Sequence, residues 1–429
     1  MRILFGTPYP PSRIRVRSYG FLAQLRLAHD VTIITQCASE QEMADVELLR
    51  QQGFEVVVVS EKKTRALLRC GLALPTSQPL QVAYARSSRF TQAVQHLCQQ
   101  RAFDVIHVEH LRGIASMEPL AAQYPFVWDA VDCISLLFKQ TITSGPNVKV
   151  RAGAWLEHTR TRHYEARLLH HLRHVVITSE RDRRAMIDLR RSQHDDPLSS
   201  DEELGTGLAV LPNGVDLDYF RPSQEERRRY NIVFSGKMSY HANVATALYL
   251  YQQIMPLIWR QRPEATLTIV GSKPPQAIQQ LARDPRVEVT GFVKDMRPYV
   301  GRAEVMLSPM VYSVGIQNKV LEAMALGTPA IVAAQAAASL GAIPGRDLLI
   351  ANSADEFAQA TLQLMDDAHL RATLSQHGRE YVEQHHDWHA VTDRLVAIYQ
   401  QAIAEHTRHR NRKPVARTQQ HEIVASNRS

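Results

Sequence analysis

No apolar run in this sequence is long enough to cross a bilayer. Spanning needs roughly 18–20 consecutive apolar residues. The longest candidate, Pro329 to Ile343, is alanine-rich and broken by Gln335 and Gly341. Nor does the start read as a signal peptide. Met1-Arg2-Ile3-Leu4-Phe5 passes at once into Gly6-Thr7-Pro8, which is expected to be a first strand and its loop. Cysteine is scarce: Cys37, Cys70, Cys98 and Cys133 lie far apart, with no CxxC spacing. That argues against a disulfide or zinc framework and predicts a reducing, cytoplasmic setting. No solenoid-period repeat is visible. No nucleic-acid recognition motif accompanies the basic charge, so a nucleic-acid partner is not expected.

What is present is positive charge on an ordinary globular background. Hydrophobic residues make up 45% and charged ones 22% of the 429 residues. That length exceeds one ordinary core and fits two domains. Part of the net +7 lies after His406, in Arg408, Arg410, Arg412, Lys413 and Arg417, a stretch read as a disordered tail. Another part is Lys62, Lys63, Arg65 and Arg69, interleaved with Leu67, Leu68, Leu72 and Leu74. This is either a solvated basic face or a surface helix in peripheral contact with anionic lipid, on the inner face of the plasma membrane.

Short β-prone runs alternate with amphipathic stretches. Strands are expected at 2–6, 31–34, 55–59, 105–108, 126–129, 175–178 and 209–211, with helices near 18–28, 41–52 and 88–100. The polar stretch 195–207 reads as a loop, and Pro212-Asn213-Gly214 as a turn. A linker near 220–228 leads to a second series, with strands starting at 231, 265, 287, 305 and 330, and a closing helix at 388–406. Such alternation gives parallel, doubly wound sheets. The chain is therefore expected to be α/β, with two Rossmann-like domains, 1–222 and 223–387, facing each other across a cleft, and a basic tail at 407–429. Ligands of such sheets bind beyond the C-terminal strand ends.

The densest signal is Gly315-Ile316-Gln317-Asn318-Lys319-Val320-Leu321-Glu322, running on to Gly327-Thr328-Pro329. A glycine start leads into a helix whose free N–H groups suit an anion such as a pyrophosphate. Lys319 adds charge, and Glu322 one turn on can accept two ribose hydroxyls. An ordinary amphipathic helix with Val320, Leu321 and Met324 in the core is the plainer alternative.

This segment resembles the donor-binding motif of the family-4 (group 1) retaining glycosyltransferases, which have the GT-B fold. Pro212-Asn213-Gly214-Val215-Asp216 resembles the family's interdomain segment, and Phe234-Ser235-Gly236-Lys237-Met238 its strand-to-phosphate-loop turn. Leu267 to Gly271 and Val289 to Val293 resemble its next two strands. The specific resemblance covers roughly 211–399.

The resemblance implies a nucleoside-diphosphate sugar as donor substrate and no required cofactor or metal. The closing helix would cross back onto the first domain. Donor binding would fall to Gly236, Lys237, Gly271, Val293, Gly315, Ile316, Gln317, Asn318, Lys319 and Glu322. Gly6, Arg15 and Arg17 would form an acceptor or phosphate loop, although prolines replace the family's usual glycine pair there. Glu109, His110, Asp129 and Lys237 are the candidate catalytic groups, with Asp132 a further cleft carboxylate. The family's E-x7-E pattern retains Glu322, but its first position is Val314, which puts donor-sugar recognition in doubt. Asp216-Leu217-Asp218 and His385-His386-Asp387-Trp388-His389 have metal-like spacings but are not expected to bind metal.

The implied activity is sugar transfer, with retention, to a glycan or lipid-linked acceptor in cell-envelope or exopolysaccharide synthesis. A nucleotide-sugar epimerase of the same architecture and a non-catalytic nucleotide-sugar-binding subunit are the alternatives.

Overall fold

The computed structural model describes residues 1–12, 14–144, 148–192, 200–223, 225–310 and 316–412. Its first sheet contains β1 (Arg2–Thr7), β2 (Asp30–Cys37), β3 (Glu55–Ser60), β4 (Val105–Glu109), β5 (Phe126–Val131), β6 (Val175–Ile177) and β7 (Leu208–Val210). They are parallel in the order β3-β2-β1-β4-β5-β6-β7. The second sheet contains β8 (Arg228–Ser235), β9 (Thr266–Val270), β10 (Val287–Gly291), β11 (Ala303–Ser308), β12 (Ala330–Val332) and β13 (Leu349–Ile350). They too are parallel, in the order β10-β9-β8-β11-β12-β13. Each sheet has helices on both faces, the α/β Rossmann-like architecture expected.

The central strands β4 and β11 are buried at every residue, which is why they read as continuous runs rather than alternating ones. In β1 the pleat sends Ile3 and Phe5 into one core and Leu4 into the other. Helix Trp388–Arg412 adds Trp388, Val391, Leu395 and Tyr399 to the core that holds Ile3 and Phe5. Its Trp388 ring fits against two glycines. A Cβ on Gly20 would lie 2.1 Å from the ring and one on Gly214 2.5 Å. The Pro-Asn-Gly segment thus admits an aromatic anchor, which its reading as a turn did not foresee.

Two local expectations need correction. Within the polar stretch read as a loop, Asp201–Leu204 is a short helix with a Ser200–Glu203 capping box, while 195–199 lie outside the described residues. The Ser-x-x-Glu spacing carries that signal. The stretch read as a disordered tail begins as helix, continuing unbroken to Arg412, because no glycine or proline intervenes before Pro414. Lys413 and Arg417 lie outside the described residues.

Candidate active site

On the second sheet, the ends of β8 and β9 meet at a glycine pair. A Cβ on Gly271 would fall 1.8 Å from the Gly236 carbonyl oxygen, so the two backbones approach as only glycine allows. A Cβ on Gly236 would lie 2.8 Å from Asn243 Nδ2. Asn243 is the hub here: Nδ2 donates to the Lys237 carbonyl at 3.0 Å, and Oδ1 accepts from Lys319 Nζ at 2.5 Å. The loop after β8 is thereby tied to helix Asn318–Ala325. Lys237 itself is exposed.

Lys319 lies over the Phe234 ring at 4.6 Å, and burial pulls its ammonium down to about 7, with Glu322 holding the charge on. Burial pushes the Glu322 carboxyl up to about 7, opposed by Lys319. No hydrogen-bond partner for that carboxyl is seen among the described residues. A half-buried cation and a half-buried carboxylate one turn apart, at a helix N-terminus, suit a diphosphate and a pair of hydroxyls.

The other donor-side residues play different parts. Gln317 turns inward, its Oε1 accepting from Ser308 at 2.7 Å. Asn318 Oδ1 accepts from Asn213 Nδ2 at 3.0 Å, which joins the donor helix to the Pro-Asn-Gly segment. Ile316 and Val293 pack at the margin of the second-domain core. Beside Val293, Phe292 is 75% exposed. Gly315 and Val314 lie outside the described residues.

Across the cleft, β4 and β5 place Glu109 and Asp129 side by side in register. Asp129 is fully buried, with Oδ2 2.7 Å from Arg17 Nε and 3.8 Å from His107 Nε2. Arg17 Nη1 also donates to the Leu211 carbonyl at 3.0 Å and to Asn213 Oδ1 at 2.9 Å. His107 Nδ1 meets the Tyr399 hydroxyl at 2.9 Å. A buried chain therefore runs from the first sheet through the Pro-Asn-Gly segment to the donor helix.

Glu109 differs from Asp129. Its Oε2 is buried without a partner. Burial, then repulsion from Asp129, raises its carboxyl to about 7, with Arg17 pulling the other way. His110 has φ +67, rare for a non-glycine residue. Burial lowers its imidazole to about 3.

The first-domain loop is built differently from its sequence reading. Gly6 serves packing: a Cβ there would lie 2.3 Å from Met117 Sδ. Arg17 faces inward onto Asp129, which takes it away from an open phosphate loop and Asp129 away from an open cleft. Arg15 braces its own loop, donating to the Pro10 carbonyl at 2.7 Å and to Glu42 at 3.0 Å, with its guanidinium 4.0 Å from the Tyr9 ring centre. The metal-like spacings serve local structure. Asp216 Oδ1 caps the Tyr219 amide at 2.9 Å, Asp218 pairs with Arg221, and His386 is buried on the Asn213 carbonyl.

A recess of about 540 Å³ lined by His170, Arg173, His174 and Glu405 lies before β6 and β7, at the N-terminal strand ends. That is the wrong end of the sheet for this chemistry.

With this geometry in hand, known proteins place the chain. Residues 229–367 match the family model described as glycosyl transferases group 1. That stretch spans the second sheet, from β8 to β13. A curated relative is the GDP-mannose-dependent monoacylated alpha-(1-6)-phosphatidylinositol monomannoside mannosyltransferase of Corynebacterium glutamicum. It is 28% identical over 212 residues, which are 44% of this chain and 55% of that protein. The match thus spans about half the length of that relative.

Among solved structures, sucrose-phosphate synthase from Thermosynechococcus elongatus superposes with TM-score 0.64 at 17% identity, covering 94% of this chain and 99% of the other. Anabaena HepE in complex with UDP and glucose gives 0.65 at 14%, covering 94% and 100%. At such identities the likeness shows the fold, which is GT-B.

Proposed function

We propose that this chain transfers a sugar from a nucleoside-diphosphate sugar to an acceptor hydroxyl, with retention at the anomeric carbon, in cell-envelope or exopolysaccharide synthesis. The observation that carries this reading is the half-buried Lys319–Glu322 pair at a helix N-terminus, beside the Gly236–Gly271 approach. The glycines let the diphosphate come close to backbone, Lys319 and Lys237 balance its charge, and Glu322 accepts the ribose hydroxyls. Phe292, exposed next to Val293, offers a face for the base.

In the proposed step the bond from the anomeric carbon to the diphosphate oxygen breaks and the bond to the acceptor oxygen forms on the same face. The acceptor proton passes to the departing diphosphate. Positive charge developing at the anomeric carbon is offset by the Glu109 carboxylate across the cleft, and the growing negative charge on the diphosphate by Lys237 and Lys319. Closure of the two domains would exclude water from the donor.

The HepE complexes carry UDP and the curated relative uses GDP-mannose, so both bases belong in the first screen. A thermal-shift panel of UDP-, GDP- and ADP-sugars tests the reading, because a ligand that binds only the folded state raises its melting temperature. One class should stabilise the wild type and fail to stabilise Glu322→Ala. A panel with no stabilising nucleotide sugar would remove the donor site.

A further inference from the structure

Two helices at the C-terminal rim of the first sheet turn apolar side chains to solvent. Helix Lys63–Ala73 follows β3, and helix Val148–His171 forms a pair with helix Ile134–Ser144, which follows β5. Leu67, Leu68 and Leu72 are 62%, 65% and 69% exposed, and Trp155 is 67% exposed. The helices belong to one surface. Arg160 donates to the Leu74 carbonyl at 2.6 Å, and Glu157 accepts from the Leu80 amide at 2.9 Å. Single exposed leucines need no explanation, but three on one helix, beside a second helix with an exposed tryptophan, point to a binding face.

The charge along the two stretches that carry these side chains, 62–103 and 133–156, has one sign. Lys62, Lys63, Arg65, Lys149 and Arg151 are all exposed. Neither 62–103 nor 133–156 contains an aspartate or glutamate. A second copy docked symmetrically would set these cations against each other. An anionic bilayer meets both features: its headgroups pair the cations and its acyl boundary takes leucine and tryptophan.

We propose that this rim docks on an anionic membrane surface, with Leu67, Leu68 and Trp155 entering at headgroup depth. The rim lies at the same strand ends as the cleft, so a docked molecule would present its acceptor side toward the lipid. The docking stands apart from the transfer reading and is tested without turnover.

The experiment is sedimentation of the full chain with vesicles of phosphatidylcholine alone or mixed with phosphatidylglycerol, read together with tryptophan emission. Trp128 and Trp388 are buried and Trp259 is half-buried in the second domain, so the part of any emission change that Trp155→Ala abolishes reports Trp155. The wild type should bind the mixed vesicles, shift its emission to shorter wavelength, and partition less at high salt. Leu67→Ser with Leu68→Ser, and separately Trp155→Ala, should each lower partitioning at least about fivefold, since each removes apolar area that would leave water at the acyl boundary. Both should keep the wild-type melting temperature and nucleotide response, as exposed positions allow. Equal binding to both vesicle types, or variants that bind like the wild type, would overturn the proposal. So would a solution dimer that Trp155→Ala dissociates.

Discussion

Lys319 Nζ donates to Asn243 Oδ1 at 2.5 Å, and Asn243 in turn holds the Lys237 carbonyl. One side chain thus fixes the half-buried lysine of the candidate donor site against the loop after β8. The ammonium is held where a diphosphate would lie between the helix N-terminus and the Gly236–Gly271 approach.

Glu322→Ala should weaken nucleotide-sugar binding roughly ten- to hundred-fold, since a hydrogen bond to a charged group contributes about 1.5–3 kcal/mol. Calorimetry with the ribonucleotide and its 2′,3′-dideoxy analogue checks the role. The wild type should prefer the ribose and the mutant should not. A mutant that still discriminates would assign the ribose elsewhere.

The Lys319 contribution to donor affinity should fall as pH rises above about 7. Burial leaves Lys319 titrating near 7 rather than 10.5 in the empty protein. Above about pH 7 the folded protein must take up a proton to offer a charged lysine to the diphosphate, a loss of at most about tenfold in affinity per pH unit. Lys319→Met should bind more weakly below pH 7 and show a flatter profile. Parallel slopes for the two proteins would show that Lys319 does not meet the phosphate.

Arg17→Met should destabilise the chain by about 3–5 kcal/mol in urea unfolding, because the fully buried Asp129 loses its cation. Adding Asp129→Asn should recover part of that. Absence of any recovery would mean that the cost lies in the Leu211 and Asn213 bonds instead.

Glu109→Gln should leave nucleotide affinity near normal and cut transfer at least about tenfold, or about 1.4 kcal/mol of barrier. The same variant tests the buried carboxyl. Its folded pKa of about 7 exceeds the ordinary 4.5. The stability it contributes is therefore full below about pH 4.5 and lost as pH rises through 7. Glutamine does not titrate, so the variant should gain stability relative to wild type as pH rises from 4.5 to 7. Identical pH profiles for stability would place Glu109 in a wetter site.

The strands were legible because runs such as β4 and β9 are short and rich in β-branched residues. The donor helix was legible through Lys319, Glu322 and the glycine-proline stop. What stayed hidden depends on distance along the chain. Asn243 reaches Lys319 across 76 positions, and Asn213 reaches Asn318 across 105. No local pattern marks an asparagine for such a contact. Gly6 resembled a ligand-approach glycine, but its need for space comes from Met117, which only the folded sheet brings near. The extent of helix Val148–His171 was not legible because its first turns are solvent-facing while Glu165, Ala166, Leu168 and Leu169 are buried. No single apolar stripe runs its length.

The central claim is donor-dependent transfer from this cleft. The direct measurement is release of nucleoside diphosphate from labelled UDP-, GDP- and ADP-sugars, with and without an acceptor fraction extracted from membranes, for the wild type and Glu322→Ala. Release from one donor, with label appearing in the acceptor fraction and both lost in the mutant, is the predicted result. Interconversion of the nucleotide sugar without acceptor, or binding with no release in any mixture, would contradict it.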